Sequence, residues 1–122
     1  MKELTKSEEE VMQILWKIKK GFVKDVMEYF AEPKPAYNTV STIIRILETK
    51  NFVSHKAYGK TYEYFPLVAK DEYKKFYLRT MMKNYFNNSF QELVSFFSKE
   101  NKMTVSEIEE VIGLLKDEVH KK

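Results

Sequence analysis

Apolar residues recur at helical spacing in three short segments at the start of the chain. In the first segment one helix face is formed by residues at i, i+3, i+4 and i+7, namely Val11, Ile14, Leu15 and Ile18. A capping box, Thr5-x-x-Glu8, precedes this face, and Gly21 follows it. We therefore predict a first helix over about residues 6–19.

The next two segments predict two further short helices. The second repeats the same spacing through Val23, Val26, Met27 and Phe30. Because proline lacks an N–H group and disfavours a helical predecessor, Pro33 and Pro35 end this helix, which we place at about 22–31. A third helix, about 37–50, has its inner face at Val40, Ile43, Ile44 and Leu47.

The outer face of the third helix is small, polar and nearly free of acid. Its residues are Asn38, Ser41, Thr42, Arg45 and Thr49. Asn and Arg form bidentate hydrogen bonds with purines in the major groove, and Ser and Thr contact phosphates or thymine methyl groups. A solvated helix face is the alternative interpretation. A helix pair before it and a basic hairpin after it favour recognition of a DNA groove.

The period of the pattern changes to that of β-structure between Phe52 and Leu67. We predict a hairpin of 52–56 with 61–65, turning at 57–60 and closed by Pro66. Its aromatic residues are typical either of core packing or of a platform for single-stranded nucleic acid, and we favour packing. They are Tyr58, Tyr62, Tyr64 and Phe65. The fold class is therefore mostly α with a small β-hairpin wing, a winged helix-turn-helix.

The helical pattern returns after Leu67 and carries more apolar surface than a small neighbouring domain covers. One helix is predicted at about 70–87, and a capping box at Thr104 opens the last helix. We expect a homodimer to bury this surface, with residues 1–68 binding DNA and 69–122 forming a helical dimerisation region. The predicted dimerisation residues are Phe90, Leu93, Val94, Phe97, Ile108, Val111, Ile112 and Leu115.

Positive charge is concentrated in the middle of the chain. Residues 34–62 carry five basic side chains and one acidic one, a net charge of +4, whereas the whole chain has +3. Lys56 and Lys60 flank the predicted hairpin tip, where they would add affinity for DNA phosphates without sequence information. Lysines near a turn also protect an edge strand from pairing with other chains, which is the alternative.

The composition argues against catalysis. The chain has no cysteine and three separated glycines, so it lacks thiolate chemistry and a Gly-rich phosphate loop. Its two histidines, His55 and His120, have no spacing typical of a metal site. We expect no enzyme activity, no metal and no cofactor. The chain shows no leader pattern and no long apolar stretch, so we expect a cytoplasmic protein.

Four motifs in this order and spacing resemble the penicillinase-repressor (BlaI/MecI/CopY) family over nearly the whole chain. They are Leu4-Thr5-x-x-Glu8-x-x-Val11-Met12-x-x-Leu15-Trp16, Thr39-Val40-x-Thr42-Ile43-Ile44-x-x-Leu47, Tyr62-x-Tyr64-x-Pro66-Leu67-Val68 and the C-terminal pair Leu93-Val94 with Ile108-Glu109-Glu110. The resemblance implies a homodimeric repressor on a palindromic double-stranded DNA operator. It also implies that operator contacts come from Asn38, Thr39, Ser41 and Thr42. The family often has a basic residue at 41 and an Arg at 46, where this chain has Ser41 and Ile46.

The resemblance further implies how repression ends. In the antibiotic-responsive branch, a membrane sensor metalloprotease signals for cleavage in the C-terminal region, and the aligned position here falls around Phe96-Phe97. The family's site commonly has Asn before the Phe, which this chain lacks. The copper-responsive branch holds metal on C-terminal cysteines, so the absence of cysteine excludes metal sensing of that kind.

The sequence therefore predicts a dimeric repressor that binds its operator through Asn38, Thr39, Ser41, Thr42, Arg45, Lys56 and Lys60. Two alternatives to this function stay open. One is a winged-helix regulator released by a small ligand, and the other is a winged-helix module that binds proteins rather than DNA.

Overall fold

The computed structural model describes residues 1–99, 106–107, 109–110 and 113. Seven elements follow one another: α1 (Lys6–Ile18), α2 (Val23–Glu28), α3 (Tyr37–Thr49), β1 (Val53–Tyr58), β2 (Thr61–Pro66), α4 (Lys70–Tyr85) and α5 (Phe90–Lys99). Three helices followed by an antiparallel hairpin form a winged helix-turn-helix, which confirms the predicted fold class. The backbone contacts divide the chain into two compact units, Met1–Lys70 and Asp71–Lys122.

Helix α1 begins as the sequence predicts. The Thr5 hydroxyl accepts the Glu8 N–H at 3.2 Å, and a Glu8 carboxylate oxygen accepts the Thr5 N–H at 3.0 Å, so two free N–H groups of the first turn are satisfied. The end differs, because Lys19 takes the left-handed conformation with φ 72°. Gly21, the residue predicted to end this helix, instead forms backbone hydrogen bonds with Tyr64 of β2.

Gly21 is joined to the wing by an isolated β-bridge. Its N–H donates to the Tyr64 carbonyl at 2.9 Å, and the Tyr64 N–H donates back at 2.8 Å. A Cβ at this position would lie 2.8 Å from Ile18 Cδ1 and 3.1 Å from the Asp25 Cβ, so the Ile18 side chain would have to shift to admit it. The glycine therefore permits the close approach of α1 and α2 at this point.

Helix α2 is shorter than the prediction of 22–31, since it ends at Glu28. Its first N–H, that of Phe22, donates to the Asp25 carboxylate at 2.9 Å. At the other end, the Lys34 ammonium donates to the Glu28 carbonyl at 3.1 Å. This side-chain cap from the proline-containing loop satisfies a carbonyl at the helix end in place of another helical turn.

The winged-helix unit has one core, to which each of its elements contributes. Residues at 0–1% exposure come from α1, α2, α3 and the start of the wing; they are Val11, Met12, Leu15, Val26, Val40, Ile44, Leu47, Phe52 and Val53. The predicted inner face of α3 is thus confirmed at three positions, and Ile43 is half-buried. Trp16 is half-buried, and its Nε1–H donates to the Val68 carbonyl at 2.8 Å.

The hairpin is longer than predicted, because its strands run up to a two-residue turn at Gly59-Lys60. The register pairs Val53 with Pro66, His55 with Tyr64 and Tyr58 with Thr61. Gly59 has φ 63°, which glycine adopts without a steric cost. Side chains therefore alternate, so that His55, Tyr62 and Tyr64 share one face of the wing.

The second unit contains a small core of its own within the described residues. Met82, Phe86 and Leu93 are buried together, and Leu78, Met81 and Phe90 pack against them. The positive φ values of Asn87 and Asn88 turn the chain between α4 and α5, and the Ser89 hydroxyl accepts the Glu92 N–H at 3.2 Å. None of the helices in the described part of the chain has the length and hydropathy that a membrane span requires.

The predicted dimerisation residues fall into three groups. Leu93 is 2% exposed, within the chain's own core, while Phe90 and Val94 are half-buried. Phe96, in the predicted cleavage segment, is 45% exposed. The Phe97 side chain and the four predicted residues Ile108, Val111, Ile112 and Leu115 lie outside the described residues.

Candidate nucleic-acid interface

A cleft of about 540 Å³ lies between α3, the start of α2 and the wing. We call it the helix–wing cleft and define it by Lys24, Tyr37, Ser41, Arg45, Lys60 and Tyr62. Tyr37, Ser41 and Arg45 are four residues apart, so they form one stripe along α3. Three of the residues that the sequence predicts to bind DNA, Ser41, Arg45 and Lys60, therefore meet in one place.

The other predicted residues of α3 lie around this stripe. Asn38 and Thr42 are exposed, and the Thr42 hydroxyl donates to the Asn38 carbonyl at 2.8 Å. Thr39 is also exposed, but it lines a separate recess of about 300 Å³ with Ser7 and Glu10 of α1. The predicted face of α3 is thus wider than the cleft.

The two lysines of the wing differ in their surroundings. Lys60, in the turn, lines the helix–wing cleft together with Arg45. Lys56 is on the opposite face of the hairpin from His55, and its ammonium lies 5.4 Å from the centre of the Tyr58 ring. The structure therefore brings Lys60, but not Lys56, to the stripe on α3.

The charge of the surface around the cleft depends on ion pairs that the sequence count does not show. Lys50 is paired with Glu8 of α1 and contributes no free charge to the surface. Glu48, the acid of the 34–62 segment, is joined to His55 by a hydrogen bond and keeps its charge when the imidazole is neutral. The acid that lines the cleft, Asp25, accepts a hydrogen bond from the Phe22 N–H. Three cations, Lys24, Arg45 and Lys60, therefore line the cleft together with one acid.

Burial distinguishes the aromatic residues of the wing. Tyr64 is 4% exposed and packs as predicted, whereas Tyr58 and Tyr62 are 47% and 45% exposed, so core packing is wrong for these two. Burial, reinforced by the nearby Glu48 carboxylate, raises the pKa of the Tyr64 phenol above its ordinary value of 10.0. Tyr64 is therefore a neutral wall of the cleft.

Sequence reasoning did not assign Lys24, Tyr37 and Tyr62 to this surface. Tyr37 extends the Ser41 and Arg45 spacing by one turn, so a strict four-residue count along α3 would have found it. Lys24 has no such signal, because it is far away in sequence and reaches the cleft only through the packing of α2. Within the described residues, no group of three His, Asp or Glu side chains is placed to hold a metal ion.

Comparison with known proteins gives one family. A model of the family described as "Penicillinase repressor" matches residues 4–117. The methicillin resistance regulatory protein MecI of Staphylococcus aureus strain N315 is 27% identical over 114 residues, 93% of each chain. The MecI protein of Mammaliicoccus sciuri is 26% identical over the same shares. The penicillinase repressor of Bacillus licheniformis is 20% identical over 121 residues, 98% of this chain and 94% of its own.

Proposed function

The chain belongs to the penicillinase-repressor family, and we propose that it represses transcription as a dimer on a palindromic double-stranded DNA operator. One observation carries the proposal. The helix–wing cleft brings Arg45 and Lys60 together beside Ser41 and the exposed Asn38 and Thr42. Cations next to small hydrogen-bonding side chains on one helix are what reading a DNA groove requires.

In the proposed complex, α3 lies in the major groove. Asn38, Thr39, Ser41 and Thr42 face the base edges, and Thr39 contacts DNA from the side of the α1 recess. Arg45 and Lys60 neutralise backbone phosphates on the wing side, and Lys56 adds a weaker, more distant contact. Arg45 is one residue before the position where the family often has Arg, about 100° around the helix axis. This rotation directs the charge of Arg45 to the wing. The operator sequence should differ from that of relatives with a basic residue at position 41, because Ser41 faces the base edges in this proposal.

We further propose that residues 1–68 bind DNA and that residues 69–122 join two chains. Each winged helix then occupies one half-site, with half-sites about one helical turn, roughly 10 bp, apart. One half-site alone supplies little affinity, and linkage raises the effective concentration of the second winged helix. The bound dimer blocks the promoter.

Derepression in this proposal follows loss of the dimer. A membrane sensor metalloprotease system would trigger cleavage around Phe96-Phe97 in α5, and each winged helix would then bind alone. The exposure of the Phe96 side chain, 45%, supports access to this segment. Cleaved chain isolated from induced cells, with its new terminus identified by mass spectrometry, tests this step. Release of DNA by the intact chain on adding a small ligand would contradict it.

The central experiment is a gel shift of the full chain with the DNA upstream of its own gene. We expect a shift that survives competition by a scrambled duplex of equal length. The absence of a shift at low salt would contradict the proposal and favour a module that binds proteins. Sedimentation of the full chain and of residues 1–68 tests the dimer, because only the full chain should sediment as two copies.

A further inference from the structure

A hydrogen bond connects the last turn of α3 to the wing. Nδ1 of His55, on β1, lies 2.5 Å from a carboxylate oxygen of Glu48 on α3, and both side chains are about one-third exposed. An ionised carboxylate only accepts hydrogen bonds, so Nδ1 carries the proton and donates it. This bond fixes the orientation of the imidazole ring relative to α3.

The fixed imidazole supports one tyrosine of the wing. The ring centres of His55 and Tyr62 are 4.2 Å apart with an interplanar angle of 21°, a stacked pair. The two residues are diagonal neighbours on one face, since His55 pairs with Tyr64 and Ala57 pairs with Tyr62. Tyr64 meets both rings edge-on, at 5.6 Å and 6.3 Å. Tyr62 is therefore held on one side and open on the other.

The open side of Tyr62 faces the helix–wing cleft. The side chain is 45% exposed and lines the cleft with Arg45 and Lys60. Burial does not explain an aromatic residue at this position, because half of its surface remains in solvent. A phenol hydroxyl in a cleft that two cations also line is a good donor to a phosphate oxygen.

We infer that Tyr62 contacts a DNA backbone phosphate and that Glu48 and His55 are positioning residues that hold its ring at a set distance from α3. The inference rests on the proposed function. Phosphates and base edges have fixed relative positions on a duplex, so the wing hydroxyl must be held in register with the helix that reads the bases.

The test is a double-mutant cycle on the full chain, with a duplex selected by the wild-type chain from a randomised pool and a scrambled duplex as probes. Tyr62→Phe keeps the ring and removes the hydroxyl, and His55→Phe keeps the stack and removes the bond to Glu48. We expect each to weaken binding to both duplexes about tenfold, within the range for one lost contact. In the Tyr62→Phe background, His55→Phe should reduce DNA affinity by less than about a further twofold, because its effect depends on the Tyr62 hydroxyl.

A second pair of variants covers the case in which His55→Phe fails to fold. Glu48→Ala is compared with Glu63→Ala, which removes an equal charge from the opposite face of the wing. There the Glu63 carboxylate makes a long ion pair, 4.0 Å, with the Lys20 ammonium. We expect Glu48→Ala to bind DNA more weakly than Glu63→Ala, and the difference to vanish in the Tyr62→Phe background. A direct effect of the lost charge would persist in that background.

Two results would overturn the inference while leaving the proposed function intact. One is unchanged DNA affinity in Tyr62→Phe, and the other is additive losses in the two cycles. If the wild-type chain selects no duplex and binds neither probe at low salt, the proposed function itself fails. The two failures are therefore distinguishable from the wild-type measurement alone.

Discussion

The ammonium nitrogen of Lys50, at the end of α3, lies 2.6 Å from a carboxylate oxygen of Glu8 in the first turn of α1. The Glu8 side chain is 7% exposed and that of Lys50 is 21% exposed, so the pair is largely removed from water. Glu8 also accepts the Thr5 N–H. One carboxylate thus caps α1 and also holds the end of α3 against the start of α1.

Replacing Glu8 by Gln should destabilise the winged helix. The amide still accepts the Thr5 N–H, but the Lys50 ammonium is left without a countercharge. We expect a loss of about 2–3 kcal/mol in the free energy of unfolding, below the roughly 3–5 kcal/mol for fully buried pairs because Lys50 is partly exposed. Urea denaturation of the two chains measures this loss in the free energy of unfolding. Glu10→Gln, an equal charge change at an exposed position of the same helix, should have little effect, and equal losses would contradict this role.

The same carboxylate predicts how stability depends on pH. Burial raises the pKa of Glu8, but the Lys50 ammonium and the Thr5 N–H together outweigh it and lower the pKa below its ordinary value of 4.5. A lowered pKa in the folded state means that Glu8 stabilises the fold above about pH 4.5 and loses this contribution as pH falls through its folded value. The difference in unfolding free energy between wild type and Glu8→Gln should therefore shrink in acid. A constant difference down to pH 3 would rule this out.

Asn38→Ala and Thr42→Ala should reduce sequence discrimination. Each removes a group that we propose to face the base edges, and we expect a loss of about 1–3 kcal/mol in specific binding. Fluorescence anisotropy with the selected and scrambled duplexes measures the ratio of affinities. Thr49→Ala is the matched control, because its hydroxyl makes a similar bond to the Arg45 carbonyl, at 3.1 Å, near the end of α3. Full discrimination after both Asn38 and Thr42 are replaced would defeat the assignment of this face.

Lys60→Ala should weaken binding to all sequences alike. If its ammonium neutralises one phosphate, the slope of log K against log salt should decrease by about 0.9. Lys56→Ala should decrease it less, because Lys56 lies over the Tyr58 ring and outside the helix–wing cleft. Titrations at four salt concentrations compare the two variants. A larger change for Lys56→Ala would show that the opposite face of the wing is the one that meets DNA.

The regular elements of the winged helix could be predicted because their signals are local. The capping box at Thr5, the apolar spacing of α3 and the glycine of the hairpin turn each act within a few residues. The end of α2 and the role of Gly21 differ from the prediction because they depend on partners outside the local element. Helix α2 ends early where Lys34 caps Glu28, and Gly21 pairs with Tyr64, more than forty residues later in the chain.

The candidate site could be predicted only as far as local signals reach. The helical period alone places Ser41 and Arg45 on the outer side of α3. The addition of Lys24 and Tyr62, and the separate placement of Thr39 and Lys56, follow from how α2 and the wing pack around that helix.

By itself, the sequence determined the order of the helices and the hairpin, the inner face of α3 and the absence of thiolate chemistry, because periodicity, capping and composition are properties of neighbouring residues. Only the tertiary structure decided which charges are free. It pairs Lys50 with Glu8 in an ion pair, and it leaves Arg45 and Lys60 together at the cleft. A charge count cannot make this distinction, since Coulomb energy depends on distance in space and on exposure to water.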